Sequence, residues 1–389
     1  MIRDEIFNAV TLEEIRFNKG SKWALHGPDV IPMWLADPDF PLAMEIKRAL
    51  YNAVQDEEVI YWGDQLAREK MAEKVNRVNS INAKPEDIMV TQGIIPGMWL
   101  AVKYACKPGD EVVVTDPMYY PFFTAVEAGE TKTLYHKLDE RKKYRFDIDA
   151  LNELITKKTK LIFVCNPHNP SGRVMTKEEL KGIGEVAVDH NLTIMSDELW
   201  EDVVLDGRKH ISIASLSPGI EARTMTSFGF SKTYGVAGLQ MGYLVATNKQ
   251  MIDKLKSIAR GVLRGTTSLS KAAAPVMLDE TLEWWRKGLV KHITMVRNLV
   301  DKRLKEIGGI TCPHLEGTYL MFPNLSSYGK NSQEMADYLL KEGKIAVSHG
   351  SEFGPNGEGH IRMCIATSEE IVNEALNRMQ RALSKLKKP

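Results

Sequence analysis

The sequence predicts an α/β fold: a large domain built on a mainly parallel sheet with helices on both faces, and a smaller α+β domain after it. Three observations predict it. Short apolar, β-branched runs at residues 88–91, 111–115, 161–165, 192–195, 224–228 and 243–247 alternate with longer segments of helical period. The length of 389 residues exceeds that of most single domains, so a second unit is expected. Past residue 285 the alternation gives way to a long helical stretch, short strands punctuated by Gly and Pro, and a closing helix.

The six runs read as strands of the sheet, and sheets of this kind hold their ligands at the carboxyl ends of the strands. Chemistry is therefore expected just after each run. Between the runs the spacing predicts helices over 96–104, 176–190 and 251–260, the second capped by Thr176. A further helical stretch is predicted to begin near Leu278 and to hold its period over 285–303, and the chain is predicted to close on a helix over 369–386. Residues 140–145 are dense in charge, which predicts a solvated loop or hairpin with no function implied.

Lys plus Arg equals Asp plus Glu at 51 each, which removes any general electrostatic reason to bind nucleic acid or an anionic membrane. Cys106, Cys165, Cys312 and Cys364 lie far apart, so neither a zinc knuckle nor a disulfide framework is indicated and a reducing cytoplasm is expected. No stretch approaches the roughly 20 apolar residues that span a bilayer, and secretion is not expected either. His168, His210 and His349 show no ligand spacing, and no metal is assigned.

The strongest local signal is Gly229-Phe230-Ser231-Lys232-Thr233-Tyr234-Gly235, a lysine among small residues directly after an apolar run. Burial there would disfavour the ammonium and free the amine to attack an aldehyde. Taken alone, a lysine in such a setting is ordinarily a solvated loop residue. The second signal is Asn166-Pro167-His168-Asn169-Pro170-Ser171-Gly172, whose prolines fix the backbone so that an Asn side chain can be held toward a ligand. A plain strand-end turn has the same composition. The third is Ser196-Asp197-Glu198-Leu199-Trp200, an acidic residue at the end of a buried run. It is either a helix cap or a carboxylate suited to a cationic partner such as a protonated pyridine nitrogen.

In this order and at these separations the three motifs resemble the fold-type I pyridoxal-phosphate enzymes of the class I/II aminotransferase family, over nearly the whole chain. A fourth, Met33-Trp34-Leu35-Ala36-Asp37-Pro38-Asp39-Phe40, is similar to the amino-terminal pattern of that family's cystathionine β-lyase-like branch. The resemblance implies a seven-stranded type of sheet in a cofactor-binding large domain over 46–285. It also implies a small C-terminal domain over 286–389, with segment 1–45 packing against it. The implied cofactor is pyridoxal 5′-phosphate, with Lys232 as its Schiff-base lysine and as the base that moves the substrate α-proton. Asp197 would pair with the pyridinium nitrogen, Asn169 would hydrogen-bond the phenolic oxygen, and Tyr119 of Asp116-Pro117-Met118-Tyr119-Tyr120 would stack on the ring. Gly93, Ile94 and Ile95 would receive the phosphate at a helix amino terminus. Ser231 and Ser227 would assist, as would Tyr61 reaching into a neighbouring subunit, so a homodimer is implied. Arg362, in His360-Ile361-Arg362-Met363, matches the arginine that binds the substrate α-carboxylate, with Trp34, Ala36 and Asn169 beside the substrate.

Two positions depart from the family. Gln240 stands where many relatives place an arginine on the phosphate, and Trp200 stands where many have a tyrosine and the β-lyase branch often has a histidine. The residues that would touch cofactor and substrate are common to transamination, racemisation and β-elimination. An aminotransferase acting on an amino acid and a 2-oxo acid comes first, a carbon–sulfur β-lyase second. A non-catalytic regulatory protein with the same fold comes third, with no DNA-binding motif or basic patch behind it. Arg260 and Arg264 lie in a segment that in relatives approaches the partner's active site and would suit a second acidic group. Trp34 and Tyr119 would suit an apolar or aromatic side chain instead.

Overall fold

A computed structural model describes residues 5–61, 63–261, 263 and 265–386. Its strands, in chain order, are β1 (Ile31–Pro32), β2 (Ile88–Thr91), β3 (Glu111–Asp116), β4 (Lys132–Lys137), β5 (Thr159–Cys165), β6 (Thr193–Asp197), β7 (Thr224–Gly229), β8 (Gly242–Val245), β9 (Leu320–Met321), β10 (Ile345–Ala346), β11 (Ser348–His349) and β12 (Ile361–Cys364). The described residues form a seven-stranded sheet of order β2-β8-β7-β6-β5-β3-β4. It is parallel from β7 through β4, while β8 runs antiparallel to both β7 and β2. Val112, Val113, Val114, Ile162, Phe163, Val164, Ile194 and Met195 are all fully buried. Helices cover both faces of these strands, which is why their sequences run apolar without alternating.

The helix Lys177–Asp189 shows how locally its ends are written. Thr176 Oγ1 accepts the Glu179 N–H at 3.2 Å and the Glu179 carboxylate accepts the Thr176 N–H at 2.9 Å, a reciprocal cap. The structure adds a strand and moves a helix start. β4 carries Lys132, His136 and Lys137 at the sheet edge, where charge protects an exposed ladder, and it has no apolar run to announce it. The long helix begins at Glu283 rather than at Leu278. The helix Ser268–Leu278 ends there, because Asp279 is extended and its carboxylate accepts the Thr281 N–H at 2.7 Å, opening a short turn before the helix Glu283–Ile307. The 140–145 segment is a loop with Arg141, Lys142, Lys143 and Arg145 exposed, as expected, and it is anchored at two points: Glu140 accepts from Asn324 at 3.1 Å and Thr311 at 3.2 Å, and Tyr144 is buried.

Smaller sheets complete the fold. β11, β12 and β9 form an antiparallel trio, and β1 pairs in parallel with β10, Ile31 opposite Ile345. The amino-terminal segment is thereby laid across the chain's last third. Cys364 N–H donates to Met33 O at 2.7 Å and Asp39 N–H to Ala366 O at 2.9 Å. A buried ion pair fixes the following residues: Lys22 Nζ stands 2.9 Å from Asp39 Oδ2 and donates to Asp37 O at 2.7 Å. These contacts bring Trp34, Leu35 and Ala36 to the carboxyl ends of the parallel strands. Among the described residues no helix is long and apolar enough to cross a membrane.

Candidate active site

A cavity of about 850 Å³ opens where β5, β6 and β7 end, and its walls include Gly93, Ile94, Ile95, Tyr119, Asn169, Asp197, Trp200, Ser231, Lys232, Gln240, Trp34, Ala36 and Arg362. Lys232 sits in the turn Ser231–Tyr234 just past β7. The turn is pinned at the residue after the lysine: Trp285 Nε1 donates to Thr233 O at 2.7 Å and Thr233 Oγ1 to Asp202 Oδ2 at 2.9 Å. The Lys232 amine donates to Ala36 O at 2.6 Å. Burial holds it below the usual lysine range, with the Asp37 carboxylate opposing.

Asp197 closes β6 and is 2% exposed. Its Oδ1 accepts the Leu199 N–H at 3.0 Å, and the Cys165 thiol lies 3.9 Å from Oδ2. Among the described residues no lysine, arginine or histidine forms an ion pair with it. Burial, aided by the neighbouring Glu198 charge and opposed by the Leu199 N–H, pushes its carboxyl up to about 7. Glu198 turns the other way, to His210 at 2.8 Å and to the Ser196 and Ser212 hydroxyls at 2.8 and 3.0 Å.

Arg362, on β12, is 6% exposed. Nη1 donates to Asn169 Oδ1 at 3.3 Å, Nη2 to Trp34 O at 2.8 Å, and the Phe353 ring lies 4.7 Å from the guanidinium carbon. Its buried Nε has no partner, and no carboxylate ion-pairs with it among the described residues. Among the described residues neither Asp197 nor Arg362 has an ion-pair partner. Each is costly to bury until a ligand supplies the opposite charge.

The helix Ile95–Ala105 points its amino terminus at the same cavity, and its first N–H groups carry no side-chain cap. Such an end receives an anion. Gly93, at φ +79°, makes the turn from β2 into that helix, a conformation that a side chain would strain. Gly242 lets the backbones of Phe228 and Gly93 close in; an added Cβ would stand 2.8 Å from Phe228 O. Trp200 packs edge-on to Tyr319 at 4.6 Å, and the Lys232 nitrogen lies 5.8 Å from the Trp200 ring centre. Tyr119 lies edge-on to Tyr120 at 5.1 Å, and burial pushes its hydroxyl up to about 12.

Two expected residues are not in this cavity. Ser227 lies within β7, opposite Asp197 in register, with its hydroxyl turned toward Gly97 of the helix behind it and left unpartnered. Tyr61 is fully exposed at the surface of its own chain. Arg260 is an exposed helix-end residue outside the cavity wall, and Arg264 lies outside the described residues. Conversely His26, Gln92, Tyr120, Ser348 and Glu352 line the cavity without having been singled out. Gln92 and Tyr120 adjoin motif residues and were within reach of the sequence. The other three come from distant segments, His26 and Glu352 from turns and Ser348 from β11, and gave no local signal.

The donor set fits one kind of cofactor: a planar ring with a protonated nitrogen for Asp197, a dianionic tail for the uncapped helix, and an aldehyde for the Lys232 amine. The comparisons agree with that chemistry. The family profile described as aminotransferase class I and II matches residues 57–379. The aspartate aminotransferase of Pyrococcus abyssi is 33% identical over 364 residues, covering 92% of this chain and 93% of that one. The cystathionine beta-lyase PatB of Bacillus subtilis is 30% identical over 361 residues, covering 92% and 93%. Among solved structures, cystalysin from Treponema denticola, which contains a pyridoxal 5′-phosphate cofactor, superposes with a TM-score of 0.91 at 27% identity, covering 96% of this chain and 98% of the other.

Proposed function

The chain belongs to the aminotransferase class I and II family, and from that premise we propose that it is a pyridoxal-phosphate-dependent aminotransferase moving an amino group between an amino acid and a 2-oxo acid. The observation that carries the reading is a depressed, buried Lys232 amine sharing one cavity with the Asp197 carboxylate and the Arg362 guanidinium, neither of them ion-paired among the described residues. When bound, pyridoxal phosphate condenses with amino groups and draws electrons from the substrate α-carbon, so that its proton becomes labile. The chain's own groups do the rest. Lys232 anchors the cofactor and, once displaced by substrate, takes the α-proton and returns it. Asp197 keeps the ring nitrogen protonated, Asn169 donates to the ring's phenolic oxygen, and Tyr119 covers one face. The Gly93–Ile95 amides and the Ser231 hydroxyl hold the phosphate, with Gln240 giving a neutral contact where many relatives have a cation. Arg362 binds the α-carboxylate between Trp34 and Asn169.

Segment 46–285 carries Lys232 in this reading, and segments 1–45 and 286–389 bring Trp34 and Arg362 to it. The exposed Tyr61 ring is free to reach a partner's phosphate, which makes the working unit a homodimer. The four cysteines are all free, in keeping with a reducing cytoplasm.

A carbon–sulfur β-lyase is the second reading, favoured by the cystathionine β-lyase relative and by Trp34 and Ala36 in the cavity wall. Oxo-acid release separates the two. An aminotransferase given an amino donor alone stops at one equivalent of 2-oxo acid per site and continues only when a 2-oxo acceptor is added. Repeated release of pyruvate, ammonia and a thiol from cystathionine without acceptor would replace this reading with the second.

Arg362→Lys keeps the charge but loses the planar fork. Its KM for amino donors is expected to rise about 100-fold, the scale of a lost ~1.5–3 kcal/mol hydrogen bond to a charged group. Steady-state kinetics with kcat and KM resolved check this, since a damaged fold would lower kcat as well.

A further inference from the structure

The cavity carries one charge that the proposed reaction does not use. Glu352 stands in its wall on the turn Gly350–Phe353, just after β11. Its Oε1 is 3.1 Å from His349 Nε2, and its side chain remains 36% exposed. The next residue, Phe353, is the one whose ring supports the Arg362 guanidinium. Burial works against the Arg362 cation, and the Glu352 carboxylate is among the groups that offset it, so the two charges act on each other across the cavity. Two aromatic pairs stand in the same wall among aliphatic and uncharged polar residues: His26 lies edge-on to Trp34 at 6.1 Å, and Tyr119 edge-on to Tyr120. Among the described residues the lysine and arginine side chains of the wall are Lys232 and Arg362 alone. The proposed reaction engages both. A carboxylate on the substrate side chain would therefore meet the Glu352 carboxylate and, among the described wall residues of this chain, no further lysine or arginine.

We propose that Glu352 is a specificity-determining residue that rejects a side-chain carboxylate, so that the amino donors of this enzyme carry uncharged side chains rather than those of aspartate or glutamate. The inference rests on the functional reading only in taking the cavity as an amino-acid site with the α-carboxylate on Arg362. It does not depend on whether the reaction is transamination or elimination.

The test uses unreactive ligands on the reconstituted holoenzyme at pH 8.5, where a histidine side chain is ordinarily neutral. Succinate and its monoamide, succinamate, differ by one charge at nearly equal size. Calorimetric titration of the wild type is expected to show succinamate binding about 10-fold tighter than succinate, the scale of a like-charge clash in a partly solvated site. In Glu352→Gln the ratio is expected to fall to within about 2-fold, through tighter succinate binding. Persisting binding of 3-phenylpropanoate by that variant reports that the site is still folded. Succinate binding as tightly as succinamate to the wild type, or a ratio unchanged in Glu352→Gln, overturns the proposal. Arg362→Ala separates this failure from that of the functional reading. If both ligands lose affinity there, the amino-acid site stands whatever becomes of Glu352. Undiminished binding in Arg362→Ala overturns both.

Discussion

Replacing Lys232 with alanine is expected to lower the rate of amino transfer by about 10³- to 10⁴-fold, toward the upper end of what a positioned general base contributes. The magnitude follows from the absence of a substitute. Asp197 is committed to the ring and Arg362 to the carboxylate, and neither can shuttle a proton at the α-carbon. Stability should move the other way. The folded state depresses the amine, so below the ordinary lysine pKa of 10.5 it holds fewer protons there than the unfolded chain does. That mismatch costs stability at neutral pH and fades as pH rises toward 10.5. The apoprotein of Lys232→Ala should therefore melt no lower than wild-type apoprotein at pH 7. A dead enzyme with an undiminished melting temperature is the expected pair of results. Single-turnover kinetics and a thermal melt, run on the same preparation, check them together.

Asp197→Asn is expected to cost about 10²- to 10³-fold in kcat, the range seen when one preorganised electrostatic partner is removed. An amide fits the space and can keep the Leu199 N–H, but it carries no charge to hold a ring nitrogen protonated. Binding of the coenzyme should weaken too, because the attraction that compensates the buried carboxylate works in both directions. The pH dependence of the apoprotein gives an independent reading. Burial raises this carboxyl from 3.8 to about 7, so between those values the folded state holds a proton that the unfolded chain has released. Stability contributed by the group is thus present at low pH and lost as pH rises through that window. Wild-type apoprotein should lose more stability than Asp197→Asn apoprotein between about pH 4 and 7. Equal pH slopes in denaturant titrations of the two would contradict the burial argument.

The sheet was legible wherever burial on both faces left an unbroken apolar run. Val112 to Val114 and Leu161 to Cys165 are such cases, and the cavity opens at the residues just past β5, β6 and β7, where the sequence places its motifs. β4 was not legible, because an edge strand is selected for charge and its partner, β3, is known only in three dimensions. The break at Asp279 was hidden for a different reason. Helical period continues through it, and a single carboxylate accepting one N–H decides where the turn falls.

Site residues divide along the same line. Lys232, Asp197 and Asn169 stand in compact motifs attached to strands, and the cavity collects them. Ser227 lies before the end of β7, which runs on to Gly229, and it is buried with its hydroxyl toward Gly97. Glu352 and His26 stand in turns that reach the cavity only through the β1–β10 pairing and the β11–β12 hairpin. Nothing local distinguishes them from surface residues.

The most direct test of the central claim is to reconstitute the purified protein with pyridoxal phosphate, reduce it with borohydride and map the labelled peptide by mass spectrometry. The account predicts a yellow protein and a single stable adduct on the peptide carrying Lys232. A protein that stays colourless, or a label on another lysine with Lys232 unmodified, would contradict it.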